Sequence, residues 1–192
     1  MKKTKYNIIF LILIVVILLQ SNSQSIAKAQ SLIELNSPSA ILIDAGTGKV
    51  LFEKNVNEKL EPASITKIMT LLLAFEAVDQ GKANLSDVVK ISERAWKTGG
   101  SQVFLGMGEE QTLETLLKCI TIASANDASV AVAEYLGGSV EGFVKMMNEK
   151  AKNLGMKNTH FVNPHGLSDP DHYTTAYDIA LMSRELVKYP KY

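Results

Sequence analysis

Ser64 and Lys67 are the two side chains whose types and spacing most directly suggest chemistry. They stand three residues apart in Pro62-Ala63-Ser64-Ile65-Thr66-Lys67-Ile68-Met69-Thr70, which runs on into Leu71-Leu72-Leu73-Ala74-Phe75-Glu76-Ala77-Val78. The run is apolar nearly all round, the pattern of a helix buried in the middle of a fold. Residues three apart share one face of a helical turn. A serine hydroxyl is a weak nucleophile until a neighbour takes its proton, and a desolvated lysine amine can be that neighbour. The N-terminal end of a helix also favours developing negative charge. A serine at the mouth of a buried helix with a lysine one turn in is the arrangement of a Ser-Lys acyl-transfer site. The same spacing also fits an N-cap serine beside a lysine that snorkels to solvent.

A second polar triplet, Ser124-Ala125-Asn126, lies between two runs that read as buried helices. On a tight turn, a serine and an asparagine separated by one small residue can both face a cleft. Ser124 could hydrogen-bond the base and pass a proton to a leaving amine. Asn126 carries an amide able to hold a lysine and to receive a peptide carbonyl. An ordinary inter-helix connection with an Asx cap fits these residues as well.

The elements that must position these residues follow from pattern and punctuation. Ala40–Asp44 and Val50–Glu53 flank Ala45-Gly46-Thr47-Gly48-Lys49 and read as a β-hairpin. The Ser64 helix is expected to start at or near Ser64 and fade at Gln80-Gly81. Val88–Ile91 reads as a short strand and 96–102 as a loop. Thr112 is the expected N-cap of a helix over Leu113–Ala123, and Asp127 that of a helix over Ala128–Leu136. Ser139 opens a helix to Leu154, closed by Gly155. Thr175-Ala176-Tyr177-Asp178 spells a capping box with Asp in the reach-back position and opens a last helix that stops before Pro190. Thr159–Tyr173, with Pro164, Gly166 and Pro170, reads as a surface loop. Its histidines His160, His165 and His172, with Asp169 and Asp171, match no compact metal-ligand spacing, and no metal is expected.

Residues 1–29 read as a signal peptide. Lys2, Lys3 and Lys5 form a basic start, Ile8–Leu19 an unbroken apolar run, and Ala27-Lys28-Ala29 a small-x-small cleavage pattern. The run is shorter than the roughly 20 apolar residues of a spanning helix, and an uncleaved N-terminal anchor is the alternative. The protein is therefore expected to be exported and extracytoplasmic, close to the cell wall and membrane. Residues 30–36 form a polar lead-in, and 37–192 the catalytic domain. Removing residues 1–29 takes away four lysines and no acid, leaving 16 basic against 20 acidic residues. No basic stripe stands out, which argues against a nucleic-acid partner. Cys119 is the only cysteine, so no internal disulfide forms, and it reads as a core residue.

Taken together, the motifs carry a resemblance. Ser-x-x-Lys followed by Ser-x-Asn is the order found in penicillin-binding proteins and class A β-lactamases. The sequence resembles the serine D-alanyl-D-alanine carboxypeptidases, the low-molecular-mass penicillin-binding proteins. The likeness includes Asp44, Thr47-Gly48, Pro62–Thr70, Gly99-Gly100-Ser101, Phe104-Leu105, Ser124–Ala128, Leu154-Gly155-Met156, Thr159-His160-Phe161, Asn163-Pro164-His165-Gly166-Leu167 and Thr174-Thr175 before Asp178. It implies an α/β, β-lactamase/transpeptidase-like fold, with the N-terminal hairpin of its sheet beside a mostly helical subdomain. It also implies that Ser64 attacks the carbonyl between the terminal D-alanines of a peptidoglycan pentapeptide, with Lys67 as general base. Ser124 would relay a proton to the departing D-alanine, and Asn126 would orient Lys67 and the substrate. β-Lactams would acylate the same serine. No cofactor is implied.

The family's third motif, Lys-Thr-Gly, follows the Ser-x-Asn turn at a distance and lies on a strand lining the cleft. Here Lys97-Thr98-Gly99 has the right letters but precedes Ser124, and it reads as a decoy. The expectation is an incomplete transpeptidase-like domain lacking the C-terminal sheet strands. An inactive penicillin- or peptidoglycan-binding fragment is the alternative function, with a β-lactamase as a third. No membrane-surface amphipathic helix is read, so the sequence does not support membrane attachment of the mature chain.

Overall fold

A computed structural model describes residues 35–190. The signal peptide expected at 1–29 and all but the last two residues of the lead-in lie outside the described residues.

The chain enters through a hairpin, β1 (Ala40–Ile43) and β2 (Val50–Lys54), paired antiparallel with an irregularity between Leu42 and Ile43. The Asp44 carboxylate ties its loop by accepting from the Thr47 N–H at 2.7 Å and the Thr47 hydroxyl at 2.5 Å. A 3-10 turn, Ala63–Thr66, leads directly into α1 (Lys67–Asp79). A second antiparallel pair, β3 (Val88–Lys90) with β4 (Glu110–Thr112), encloses the short helix α2 (Glu93–Trp96). Then come α3 (Leu113–Ala123), α4 (Asn126–Gly137), α5 (Val140–Asn153) and α6 (Ala176–Leu186).

Four side-chain caps sit where expected or at newly found starts. Ser92, Thr112, Ser139 and Thr175 each accept from the N–H three residues on. Each such cap is worth ~1 kcal/mol relative to alanine. Two expectations change. Asp127 is not an N-cap: α4 starts at Asn126, two residues earlier than expected, behind Ala125. Its carboxylate accepts from the N–H groups of Val103, Leu105 and Ala128. Asp178 does not complete a capping box by its side chain, which instead accepts from the Asn158 N–H and the Thr159 hydroxyl. In both cases a distant loop full of unpaired main-chain donors takes the carboxylate. The β4 strand and α2 were not read from the sequence. Each is only three or four residues long, too short for a period to show.

The all-round apolarity of α1 has a direct cause, because it divides two cores. Leu71, Ala74 and Ala77 face one, with Leu113, Leu116, Ile120, Val130 and Val132. Met69, Leu72 and Leu73 face the other, with Phe143, Met147, Phe161 and Met182. A helix buried on both sides has no solvent face to leave polar. Lys150 on α5 pairs with Glu76 at the far end of α1. The hairpin is held by Arg184 of α6, whose Nε and Nη2 donate to the Ala45 and Gly46 carbonyls at 2.8 and 2.7 Å. Cys119 is half-buried against the first core. Among the described residues, no helix is long and apolar enough to cross a membrane.

Candidate active site

Ser64 and Lys67 meet as their spacing implies, but through a tighter turn than a plain α-helix. Pro62 has φ −74° and ψ −17°, Ala63 turns to φ +46°, and Ser64 lies inside the 3-10 turn that Lys67 closes. In a 3-10 helix the side chains at i and i+3 eclipse. The Lys67 Nζ therefore donates to Ser64 Oγ at 3.1 Å. Ser64 is exposed while Lys67 is 4 % exposed. The hydroxyl faces solvent with the Lys67 amine walled off behind it. Burial holds the Lys67 amine well below the ordinary lysine value, at about 8. A lysine so tuned is about one-tenth neutral at pH 7, far more than an ordinary lysine, and can accept a proton.

A buried first turn with three polar side chains must find partners for all of them. Thr66, Lys67 and Thr70 find theirs in the 158–174 segment. Thr66 Oγ1 lies 2.7 Å from His172 Nε2. Lys67 Nζ donates to the His165 carbonyl at 2.9 Å, and Thr70 Oγ1 to the Pro164 carbonyl at 2.6 Å. The expected surface loop is thus a strap laid over the start of α1. Phe161, His172 and Thr174 are 0–1 % exposed. Its ends are fixed by main-chain bridges, Leu60 with Thr174 and His160 with Tyr173. Asn148 of α5 clasps Phe161, accepting from its N–H at 2.9 Å and donating to its carbonyl at 2.8 Å. The strap's tip is an Asn163-centred turn. Asn163 Oδ1 accepts from His165 and Gly166, and Nδ2 donates to Leu167. Gly166, at φ +92°, presses against the Ala63 carbonyl so closely that a Cβ there would stand 1.8 Å from that oxygen. The three histidine rings have separate hydrogen-bond partners: His160 with Asp171, His165 with Leu167, and His172 with Thr66 and Val162.

Ser124 and Asn126 sit at the α3–α4 turn. Ser124 caps α3 in the left-handed region, φ 54° and ψ 38°, and is half-buried. A non-glycine residue held there costs of order 1–3 kcal/mol, and such strain gathers at functional sites. Asn126 is 4 % exposed. Its main-chain N–H donates to the Ser101 carbonyl and its Nδ2 to the Gly99 carbonyl, both at 2.7 Å. Gly100, at φ +83°, lies between Asn126 and the strap: a Cβ there would stand 2.6 Å from Asn126 Nδ2 and 3.3 Å from Leu167 Cδ2. The Ser-x-Asn turn and the strap that holds Lys67 therefore meet across one glycine. The hydrogen bonds of the Lys67 ammonium go to Ser64 and to His165, a partner the sequence reading did not include.

Lys97-Thr98-Gly99 ends α2 rather than lying on a strand. Lys97 is exposed and pairs with Glu93 at 2.5 Å, and Thr98 bonds the Arg94 carbonyl. Gly99 enters the site only through its carbonyl on Asn126. A groove of about 510 Å³ lined by Leu71, Phe75, Leu85, Leu117, Ile122 and Leu186 contains none of these groups.

Comparison with known proteins places the chain in a family and a fold. The chain is 57% identical over 162 residues to the D-alanyl-D-alanine carboxypeptidase DacF of Bacillus subtilis, covering 84% of this chain and 42% of that protein. It superposes on the crystal structure of the D-alanyl-D-alanine carboxypeptidase DacD from Francisella tularensis with a TM-score of 0.81 and 39% identity, over 83% of this chain and 39% of that one. It also superposes on Penicillin-Binding Protein D2 from Listeria monocytogenes in its ampicillin-bound form, with a TM-score of 0.73 and 27% identity, over 83% and 64%. The hairpin and helices are thus part of an α/β transpeptidase-like fold. The chain spans about two fifths of the length of the curated relatives it matches. The model of the D-alanyl-D-alanine carboxypeptidase family, peptidase S11, matches residues 23–192, and the chain belongs to that family.

Proposed function

We propose that this chain carries the nucleophile, base and proton relay of a serine-type D-alanyl-D-alanine carboxypeptidase acting on peptidoglycan stem peptides. The observation that carries the reading is the Ser64 hydroxyl 3.1 Å from a buried Lys67 amine. Ser64 Oγ attacks the carbonyl of the penultimate D-alanine as its proton passes to Lys67 Nζ. The carbonyl π pair moves to oxygen, and the Ser64 N–H at the helix mouth donates to that oxyanion. The C–N bond then breaks, and the leaving amine of the terminal D-alanine takes a proton through Ser124. Asn126, anchored on Gly99 and Ser101, offers its free amide oxygen to the substrate. Water, deprotonated by the same lysine, hydrolyses the ester on Ser64. A β-lactam presents a strained amide to the same serine, but its leaving amine stays tethered, so the acyl-enzyme persists.

The same reading includes export. Residues 1–29 direct the chain out of the cytoplasm, 30–36 lead into the fold, and 37–192 carry the catalytic residues, working beside the cell wall.

The test is intact mass of the purified protein after incubation with benzylpenicillin, with Ser64→Ala as control. One covalent adduct on the wild type and none on the variant is the expected result. A folded wild type that stays unmodified would overturn the reading. An adduct released within seconds as opened penicillin would indicate a β-lactamase instead.

A further inference from the structure

The mechanism leaves the buried imidazole of His172 unused. His172 is 1 % exposed and reaches from the base of the strap to Thr66 in the Ser64 turn. Its Nδ1 accepts from the Val162 N–H at 3.0 Å. A main-chain N–H can only donate, so Nδ1 carries no proton and the neutral ring bears its hydrogen on Nε2. Nε2–H therefore donates to Thr66 Oγ1 at 2.7 Å. The ring joins the residue just before Lys67 to the start of the strap's tip. Between Val162 and His172 lie Pro164 and His165, whose carbonyls receive Thr70 and Lys67. We propose that His172, neutral and protonated on Nε2, is a positioning residue that locks the strap so that the His165 carbonyl holds the Lys67 amine against Ser64. The proposal rests on the carboxypeptidase reading for its chemistry, though the clamp itself is a matter of geometry.

Protonation opens the clamp. A second ring proton on Nδ1 would face the Val162 N–H, donor against donor, and the loop would have to move. The surroundings favour the neutral ring. Burial is the largest influence and His160 adds to it, while Asp169 and Glu61 act the other way; the net effect keeps His172 below the ordinary 6.5. The groups packed directly on the ring, Thr66 and Phe161, are neutral, so Asp169 and Glu61 are the counter-charges that act on it. His165, which is also in the strap, charges only at about 4, below the range that matters here.

Two protonations then oppose Ser64 acylation on the acid side, one on Lys67 and one on His172. We would measure benzylpenicillin acylation rates from pH 5 to 8 in the full chain and follow the ring nitrogens of His172 by 15N NMR over the same range. Wild type should lose rate about tenfold per pH unit near 7 and more steeply below the His172 titration. His172→Gln keeps a donor and an acceptor but does not titrate, so its profile should stay at the shallower slope. His172→Ala should lower the rate at pH 8 about tenfold to a hundredfold, with glutamine restoring most of the loss. An Nδ1–H tautomer, or a glutamine variant that keeps the steeper limb, would overturn the proposal. If wild type is never acylated while the ring shows the Nε2–H tautomer, the function is wrong and the clamp stands. If alanine fails to fold, the tautomer and the glutamine profile still decide.

Discussion

The Lys67 amine donates at 2.9 Å to the main-chain carbonyl of His165, 98 residues downstream. That bond, with the 3.1 Å contact to Ser64 Oγ, fixes the amine between the Ser64 hydroxyl and a carbonyl that can only accept. A lysine with both neighbours specified and little water around it loses no reorganisation before taking a proton.

Removing either member of the pair should separate binding from chemistry. Lys67→Ala is expected to slow penicillin acylation ~10²–10⁴-fold, the usual contribution of a positioned base. Stopped-flow or timed mass spectrometry measures it. A rate within threefold of wild type would show that another group takes the proton.

Acylation should rise with pH. The Lys67 amine must be neutral to act, and it changes charge at about 8. Between pH 6.5 and 8 the rate should gain about tenfold per unit and level off above. A rate flat across that interval would mean that Lys67 is not the titrating base.

Gly166→Ala should break the site without touching its chemistry. The new Cβ would overlap the Ala63 carbonyl, and the position has φ +92°. Strain of this kind costs roughly 1–3 kcal/mol, visible in the urea midpoint. Acylation should fall further than stability does, because the displaced residue directly precedes Ser64. Unchanged acylation would mean the strap can yield without moving the serine.

Asp127 holds the Val103–Leu105 segment through two N–H groups, those of Val103 and Leu105, and also accepts from the Ala128 N–H. Asp127→Ala leaves buried donors unpaired, at ~1–3 kcal/mol for each that water cannot reach. We expect a loss of at least ~2 kcal/mol in chemical denaturation. A loss under half that would show that water replaces the carboxylate.

Stability should fall on mild acidification. Burial holds His165 at about 4 and His172 below 6.5, so both are neutral in the folded state when the unfolded chain already binds protons. Their contribution is complete above pH 6.5 and is lost as pH falls through the folded values. For His165 alone the loss is about 3 kcal/mol by pH 4. Urea midpoints at pH 7, 5.5 and 4.5 should fall in that order, and His165→Gln should flatten the trend.

Local spacing was enough to bring Ser64 and Lys67 together, because they are one turn apart and any helical turn makes them neighbours. It was enough for α3, α5 and α6 too: the caps at Thr112, Ser139 and Thr175 and the break after Leu154 are short-range signals. The all-round apolar α1 announced its own burial. What only the tertiary structure decided lies at long range. Lys67 is held by His165, Thr66 meets His172, and Asp127 and Asp178 cap loops rather than helices. The 158–174 segment looks like a surface loop because it has prolines, histidines and no period. Its inner residues are buried because Thr66, Lys67 and Thr70 needed partners that no neighbour in sequence could supply.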